Sequence, residues 1–298
     1  MKDRLLNPLA DPVFKRIFGE EKKLLISLIN ATIRPPDPVV EIEYFQPELV
    51  PYKGYDKVTI VDVRCMDANR RQFIVEMQVN PQQFFIHRVL YNAAKVYSRQ
   101  LIMGENYSLL QPVYSLNLLN HLIEPDIPEW IHQYELMHLN DVTKRMEGIH
   151  LFFLELPKFR KLVKFDVADP LHCWMKFFIE PIYFTTMPPK KYETFEELKQ
   201  AIELLHESAF TEEQLWAYDR YWDAIRTRQA EDDYRDKNSK EEGLKKGMEE
   251  GMEKGKLIGV ETTLNVIQAL KENQLNEEEI ALKFELTPDM VTQIKNRI

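Results

Sequence analysis

The chain has 298 residues, of which 44% are hydrophobic, enough for one large domain or two modest ones with an ordinary core. Its two cysteines, Cys65 and Cys173, are too few for a disulfide framework or a zinc cluster. The net charge of −9 argues against a protein that coats nucleic acid, because neutralising phosphates needs a basic surface. No apolar run reaches the length of a membrane span and the amino terminus lacks a signal-peptide pattern, so we expect a cytoplasmic protein.

The first third of the chain predicts helices followed by strands. Asp11 suits a helix N-cap and Pro12 the first helical position, and RPPDP at 34–38 then breaks the chain. Alternating and β-branched patterns predict the strands, and a long helical pattern runs from about 82 to 103. The predicted strands are 39–45, 57–66, 71–79, 112–119, 131–139 and 148–156.

From residue 169 onward the spacing of the hydrophobic residues predicts helices. We therefore predict a mixed α/β core at 1–165 and a helical extension at 166–230. A glycine-repeat helical linker follows at 231–262, and a small helical tail at 263–298.

The hairpin between the second and third predicted strands groups acidic residues on one face. Side chains alternate between the faces of a strand, and paired strands keep their faces aligned. If the turn at 67–70 centres on Asn69, Asp62 faces Glu76. The even positions include Asp62, Arg64, Glu76 and Gln78. The odd positions form an unbroken apolar face: Val61, Val63, Cys65, Phe73, Val75, Met77 and Val79.

Two opposed carboxylates favour a bound cation. Directly opposed residues have Cβ atoms roughly 4.5–5.5 Å apart, and like charges placed so are destabilising. Mg²⁺ suits the pair best, because it takes oxygen ligands and commonly uses one or two carboxylates with water and phosphate. Two alternatives stay open at this point: a solvated polar face on which Arg64 neutralises both acids, and a turn shifted by one residue, which would dissolve the pairing.

The motif resembles a known family. Asp62, followed fourteen residues later by Glu76-Met77-Gln78, looks like the motif of PD-(D/E)XK nucleases. The wider context resembles the recombination-promoting nuclease and transposase branch of that superfamily. The supporting segments are DPVFKRIFG (11–19), IVDVRC (60–65), FIVEMQ (73–78), RVLYNAAKVYSRQL (88–101) and PVYSLNLL (112–119).

The resemblance implies a PD-(D/E)XK (restriction-endonuclease-like) α/β core, with a four-stranded mixed sheet flanked by helices and an all-helical C-terminal extension. It implies phosphodiester hydrolysis at a metal, Mg²⁺ or Mn²⁺ as its substitute, held by Asp62 and Glu76 and completed by the Met77 backbone carbonyl. Asp11 matches an acidic residue of the family's first helix that would reach the metal through water. A plain helix cap is the alternative for Asp11.

Gln78 is where the chain departs from the superfamily, which usually has lysine there. Glutamine can hydrogen-bond a water but carries no charge. The branch that this chain resembles carries glutamine at this position, so we expect Gln78 to position water. On the following helix Gln100 matches a family position and is a candidate catalytic residue. Candidates for DNA contacts or the missing cation are Arg88, Lys95 and Arg99.

The tail contains glycines at every fourth residue from Gly243 to Gly259. Each helical glycine costs on the order of 1 kcal/mol relative to alanine, so a regular series suggests close approach by a second helix and a homo-oligomer. A partly helical linker is the alternative. At the end of the chain, Asn276 with Glu279 predicts a capping box, and Thr287-Pro288 opens a last helix. The acidity there favours packing or oligomerisation over DNA reading.

The sequence therefore predicts a Mg²⁺-dependent DNA endonuclease of little sequence specificity. The resemblance links it to recombination, mobile DNA or defence. The alternative is a catalytically weak or inactive DNA-binding or assembly module on the same fold.

Overall fold

The structure, a computed structural model, describes residues 4–49, 59–161, 164–186, 195–272 and 274–298. The chain divides into two compact units, Met1–Ala224 and Ile225–Ile298. The first two residues of the strand predicted at 57–66 lie outside the described residues. The division into four segments stays a prediction.

The strands of the first unit form a mixed sheet and a small ribbon. Their bounds are β1 (Ile42–Tyr44), β2 (Glu48–Leu49), β3 (Thr59–Ile60), β4 (Val63–Asp67), β5 (Gln72–Gln78), β6 (Val113–Leu119), β7 (Ile131–His138) and β8 (Asp141–Glu155). In the described part of the chain the sheet has six strands in the order β1-β4-β5-β6-β8-β7, rather than the four that the resemblance implied. β5, β6 and β8 run parallel, and the other pairs of this sheet are antiparallel.

The helices follow the predicted order. They are α1 (Asp11–Glu20), α2 (Lys22–Ile33), α3 (Phe85–Ser98), α4 (Leu156–Phe159), α5 (Pro170–Ile179), α6 (Ile182–Thr186), α7 (Glu196–Glu203), α8 (Glu212–Glu272), α9 (Glu277–Lys283) and α10 (Pro288–Lys295). α3 is the crossover that parallel strands need between β5 and β6. Among the described residues, no helix is long and apolar enough to cross a membrane.

Helices bury both faces of the sheet. On one face, β4 and β5 share a core with α1, α2, α5 and α7, which includes Phe14, Phe18 and Trp174. On the other face, Ile74 packs against α3 through Val89. The residues predicted as a helical extension therefore share one hydrophobic core with the sheet, because Trp174 lies edge-on to Phe18 at 5.5 Å between ring centroids.

The predicted hairpin register is confirmed where the strands pair, from Val63 opposite Val75 to Met66 opposite Gln72. Ile74 is fully buried beneath α3, which argues against the alternative of a solvated even face. One detail of the predicted hairpin was wrong. The chain bends at Asp62, before β4 begins, and Val61 consequently packs with the α3 core instead of the odd face.

The cap predicted at the start of α1 was also wrong. The N-cap position is Ala10, Asp11 is the first helical residue, and the helix start has no side-chain cap. The Asp11 carboxylate instead accepts a hydrogen bond from Lys15 one turn later. The Asp11 side chain therefore does not cap the helix and pairs with Lys15 instead.

The second unit contains the later part of α8 with α9 and α10. The capping box of Asn276 and Glu279 is confirmed, and Thr287 caps α10 with Pro288 at its start. A small core joins the three helices through Val266, Ile280, Ala281 and Val291.

Candidate active site

The acidic residues predicted from the sequence have basic partners near the start of β4 and the end of β5. Lys15 pairs with Asp11 and Asp62, and Arg88 pairs with Glu76. The Lys15 ammonium contacts both Asp11, at 2.9 Å, and Asp62, at 3.7 Å. Burial lowers the pKa of Lys15, but its hydrogen bond with Asp11 and the charges of Asp11 and Asp62 outweigh that effect and raise it. Lys15 is therefore a firmly charged cation beside the two acids.

Asp62 is held by the bend that precedes β4. Its Oδ2 accepts a hydrogen bond of 2.7 Å from the Met77 backbone N–H, which fixes the carboxylate against β5. Burial raises the pKa of Asp62 to about 7, and the charges of Asp11 and Glu76 add to that rise. The Met77 hydrogen bond and Lys15 oppose it. The ionised carboxylate is thus held in an environment that disfavours its charge.

Glu76 is 5% exposed and lies under α3. Its Oε2 is 3.3 Å from the Arg88 guanidinium, and its Oε1 accepts a hydrogen bond of 3.2 Å from the Asn92 amide. Burial raises the pKa of Glu76, although Arg88 and Asn92 both lower it. This burial overturns the solvated-face alternative, and Arg64 lies over the ring of Phe45 instead of bridging the acids.

Gln78 is oriented by contacts at both ends of its amide. Its Nε2 donates to the Asn80 carbonyl at 2.8 Å, and its Oε1 accepts from Arg88 at 3.0 Å. One nitrogen of Arg88 thus contacts both Glu76 and Gln78. The Arg88 guanidinium of α3 thus places a positive charge beside Gln78.

The structure does not bring Gln100 to this cluster through any contact in the described residues. Both ends of its amide bond the backbone of Gln111, at 2.7 and 2.8 Å, ahead of β6. Its catalytic role stays a prediction. Lys95 is also not a surface residue, because it is 7% exposed and donates to the Leu49 carbonyl.

Sequence reasoning missed Lys15, Asn92 and Tyr221. Lys15 lies four residues after Asp11 and Asn92 four after Arg88, so helical spacing could have identified both. Tyr221, in the part of α8 that belongs to the first unit, donates to the Leu9 carbonyl at 3.5 Å. Burial raises the pKa of Tyr221 to about 12, and the charges of Asp11 and Asp62 contribute. No sequence signal links a residue so distant in the chain to the acids.

The donor chemistry fits a hard divalent cation held by few protein ligands. Asp62 and Glu76 offer carboxylate oxygens, and the charge of Glu76 raises the pKa of Asp62, so a cation near both would stabilise the pair. Within the described ranges, no three histidine, cysteine, aspartate or glutamate side chains are grouped to hold a metal. Water, substrate or a backbone carbonyl would supply the remaining ligands of such a cation.

This arrangement of a mixed α/β sheet, a D…ExQ motif and flanking cations is that of the PD-(D/E)XK class of nucleases. Residues 8–234 match the family described as PD-(D/E)XK nuclease family transposase, and the chain belongs to that family. Nucleases of this superfamily typically use divalent metal ions, and membership indicates a nuclease or transposase-like activity on DNA. No curated protein and no solved structure matches the chain.

Proposed function

We propose that the protein is a Mg²⁺-dependent DNA endonuclease that hydrolyses phosphodiester bonds with little sequence specificity. The observation that supports this proposal is that Asp62 and Glu76, near enough for the charge of Glu76 to raise the pKa of Asp62, each have a cation beside them, Lys15 and Arg88 respectively. Acids that hold a metal and cations that bind phosphate are the parts that phosphoryl chemistry needs.

Asp62 and Glu76 would hold the metal, with the Met77 carbonyl as a third ligand. When bound, Mg²⁺, or Mn²⁺ in its place, supplies Lewis-acid activation of the scissile phosphate and of a water molecule. Asp11 contributes negative charge to the same cluster through the shared contact with Lys15.

Arg88 is the group of this chain best placed to stabilise negative charge on the phosphate. The Arg88 side chain is 36% exposed, against 6% for the Glu76 side chain, so part of it is open to solvent beside the buried acid. A planar guanidinium suits phosphate oxygens, which it can bind in pairs. Because one Arg88 nitrogen contacts Glu76 and Gln78, the cation is held in position before substrate arrives.

Gln78 would orient the attacking water. Its amide nitrogen is engaged by the Asn80 carbonyl, and Arg88 occupies one lone pair of its Oε1. The second lone pair remains to accept a hydrogen bond from water. Gln78 brings no charge of its own, and Arg88 provides the charge that a lysine supplies elsewhere in the superfamily.

The wider role follows from the family alone. We propose action on mobile or foreign DNA, in recombination or defence, in the cytoplasm. We also propose a homo-oligomer formed through the glycine-repeat helix and the C-terminal tail. Leu244, Met248 and Met252 accompany the glycines on α8 and are exposed, which supports contact with a second helix.

A plasmid-nicking assay tests the proposal. Supercoiled DNA should be nicked in Mg²⁺, nicking should stop with a chelator, and Asp62→Ala and Glu76→Ala should each abolish it. Glu43→Ala removes an exposed carboxylate on β1 and is the matched control, which should nick like the wild type. Unaltered nicking by both site variants would refute the assignment. Binding of DNA without nicking in either Mg²⁺ or Mn²⁺ would instead support the non-catalytic module.

A further inference from the structure

An exposed aromatic side chain stands immediately before α3. Phe84 is 67% exposed and has a left-handed backbone, with φ of 61° and ψ of 24°. Bulky residues rarely adopt that conformation, and a large apolar side chain gains nothing from solvent. Neither backbone preference nor burial therefore explains a phenylalanine at this position.

Phe84 stands one helical turn before the residues that contact the buried acid. Its carbonyl accepts the first hydrogen bond of α3, from the Arg88 backbone N–H at 3.0 Å, so the two residues are about 6 Å apart along the helix axis. Arg88 and Asn92 both contact Glu76. Phe84 thus lies at the N-terminal end of the helix that covers the acid, one turn from Arg88 and exposed to solvent.

A second ring accompanies Phe84. The His87 ring lies edge-on to it, with centroids 6.0 Å apart and planes at 75°. The edge-to-face arrangement leaves flat ring surface of Phe84 open, as its exposure requires. The next turn carries Arg88, whose guanidinium lies over the neighbouring Phe85 ring at 5.1 Å, so the N-terminal end of α3 presents an exposed aromatic ring within one turn of a cation.

An aromatic surface beside a cation matches the chemistry of a nucleotide with an unstacked base. The guanidinium suits the phosphate and the ring suits the face of the base. Bases inside a duplex are stacked on both sides and offer no free face, whereas bases of a single strand do. The chemistry therefore distinguishes unpaired DNA from duplex DNA.

We propose that Phe84, supported by His87, stacks on an unpaired base of the DNA strand that Arg88 holds at the acids. The preferred substrate is accordingly DNA with unpaired bases, either single-stranded or locally opened. This inference rests on the proposed function and specifies its substrate class.

Binding of labelled oligonucleotides in the presence of a chelator tests the inference apart from cleavage. A single strand carrying 2-aminopurine and the matching duplex are titrated with protein, and the fluorescence of the base analogue reports stacking. The wild type should bind the single strand more tightly and change its fluorescence. Loss of one base–aromatic stack is worth about 1–3 kcal/mol, so Phe84→Ala should weaken single-strand binding about 5- to 150-fold.

Two further variants separate stacking from general loss of apolar surface. Phe84→Trp keeps a ring and should retain tight binding and the fluorescence change. Ile86→Ala removes exposed apolar surface from the same helix without removing a ring, and should behave like the wild type. Urea unfolding of each variant confirms that the fold is retained.

The outcomes also separate this inference from the proposed function. Equal binding of single strand and duplex by the wild type, or unchanged binding and fluorescence in Phe84→Ala, would overturn the stacking role even if Mg²⁺-dependent cleavage is found. Loss of the fluorescence change in Phe84→Ala alone would support it, even if no divalent metal produces cleavage and the proposed function fails.

Discussion

The buried carboxylate of Asp62 should destabilise the metal-free protein at neutral and alkaline pH. Burial raises its pKa from the ordinary 3.8 to about 7 in the folded chain, and each pKa unit is worth 1.36 kcal/mol. Because the folded pKa is raised, the stability associated with this group is present below pH 3.8 and is lost as pH rises through 7. The cost to the folding free energy, which arises because the unfolded chain ionises Asp62 more readily, is then about 2 kcal/mol at pH 5 and about 4 kcal/mol at pH 8.

Asp62→Asn removes that cost while its side-chain oxygen can still accept the Met77 N–H. In urea unfolding with a chelator present, we expect the variant to be more stable than the wild type by about 4 kcal/mol at pH 8 and about 2 kcal/mol at pH 5. Asp141→Asn is the control with the opposite sign, because hydrogen bonds from Thr143 lower the pKa of Asp141. Equal differences at the two pH values, or a less stable Asp62→Asn at pH 8, would refute the reasoning.

Three further changes test other parts of the account. Arg88→Ala should slow single-turnover DNA cleavage about 10²- to 10³-fold, and Arg88→Lys should recover only part of the lost rate. A rate for Arg88→Ala equal to that of the wild type would exclude the role of the guanidinium. Arg71→Met removes the cation 2.6 Å from the Asp67 carboxylate and leaves that buried charge only the backbone N–H of residue 71 as a partner, so urea unfolding should show a loss of about 3–5 kcal/mol. Trp174→Ala should cost about 3–5 kcal/mol, whereas the 72% exposed Trp216→Ala should cost under about 0.5 kcal/mol; similar losses would contradict the shared core.

The hairpin shows how much of the site can be predicted from sequence. The two-residue periodicity and the turn near Asn69 gave the correct register, because one face of each strand carries apolar residues that must be buried. The bend at Asp62 could not be predicted in this way. The bend accompanies a hydrogen bond from the Met77 backbone to the Asp62 side chain. The alternation of side chains along a strand predicts only which face each side chain lies on, and not a hydrogen bond between a side chain and the neighbouring backbone.

The partners of the acids were predictable only in part. Lys15 and Asn92 follow from helical spacing once Asp11 and Arg88 are placed near the acids. Which helix covers which face of the sheet depends on tertiary packing, and the burial of Glu76 beneath α3 therefore had no local signal. Trp216 likewise lies at a helical spacing typical of core residues and yet faces solvent, so spacing alone does not determine burial.

The central claim is that Asp62 and Glu76 support metal-dependent cleavage of DNA. Single-turnover cleavage of an end-labelled oligonucleotide, titrated with Mg²⁺ after complete removal of metal, tests it most directly. We expect no product without metal, a saturable rise in rate with Mg²⁺ for the wild type, and no product for Glu76→Gln at the same concentrations. Cleavage in the chelator, or a Glu76→Gln titration that matches the wild type, would contradict it.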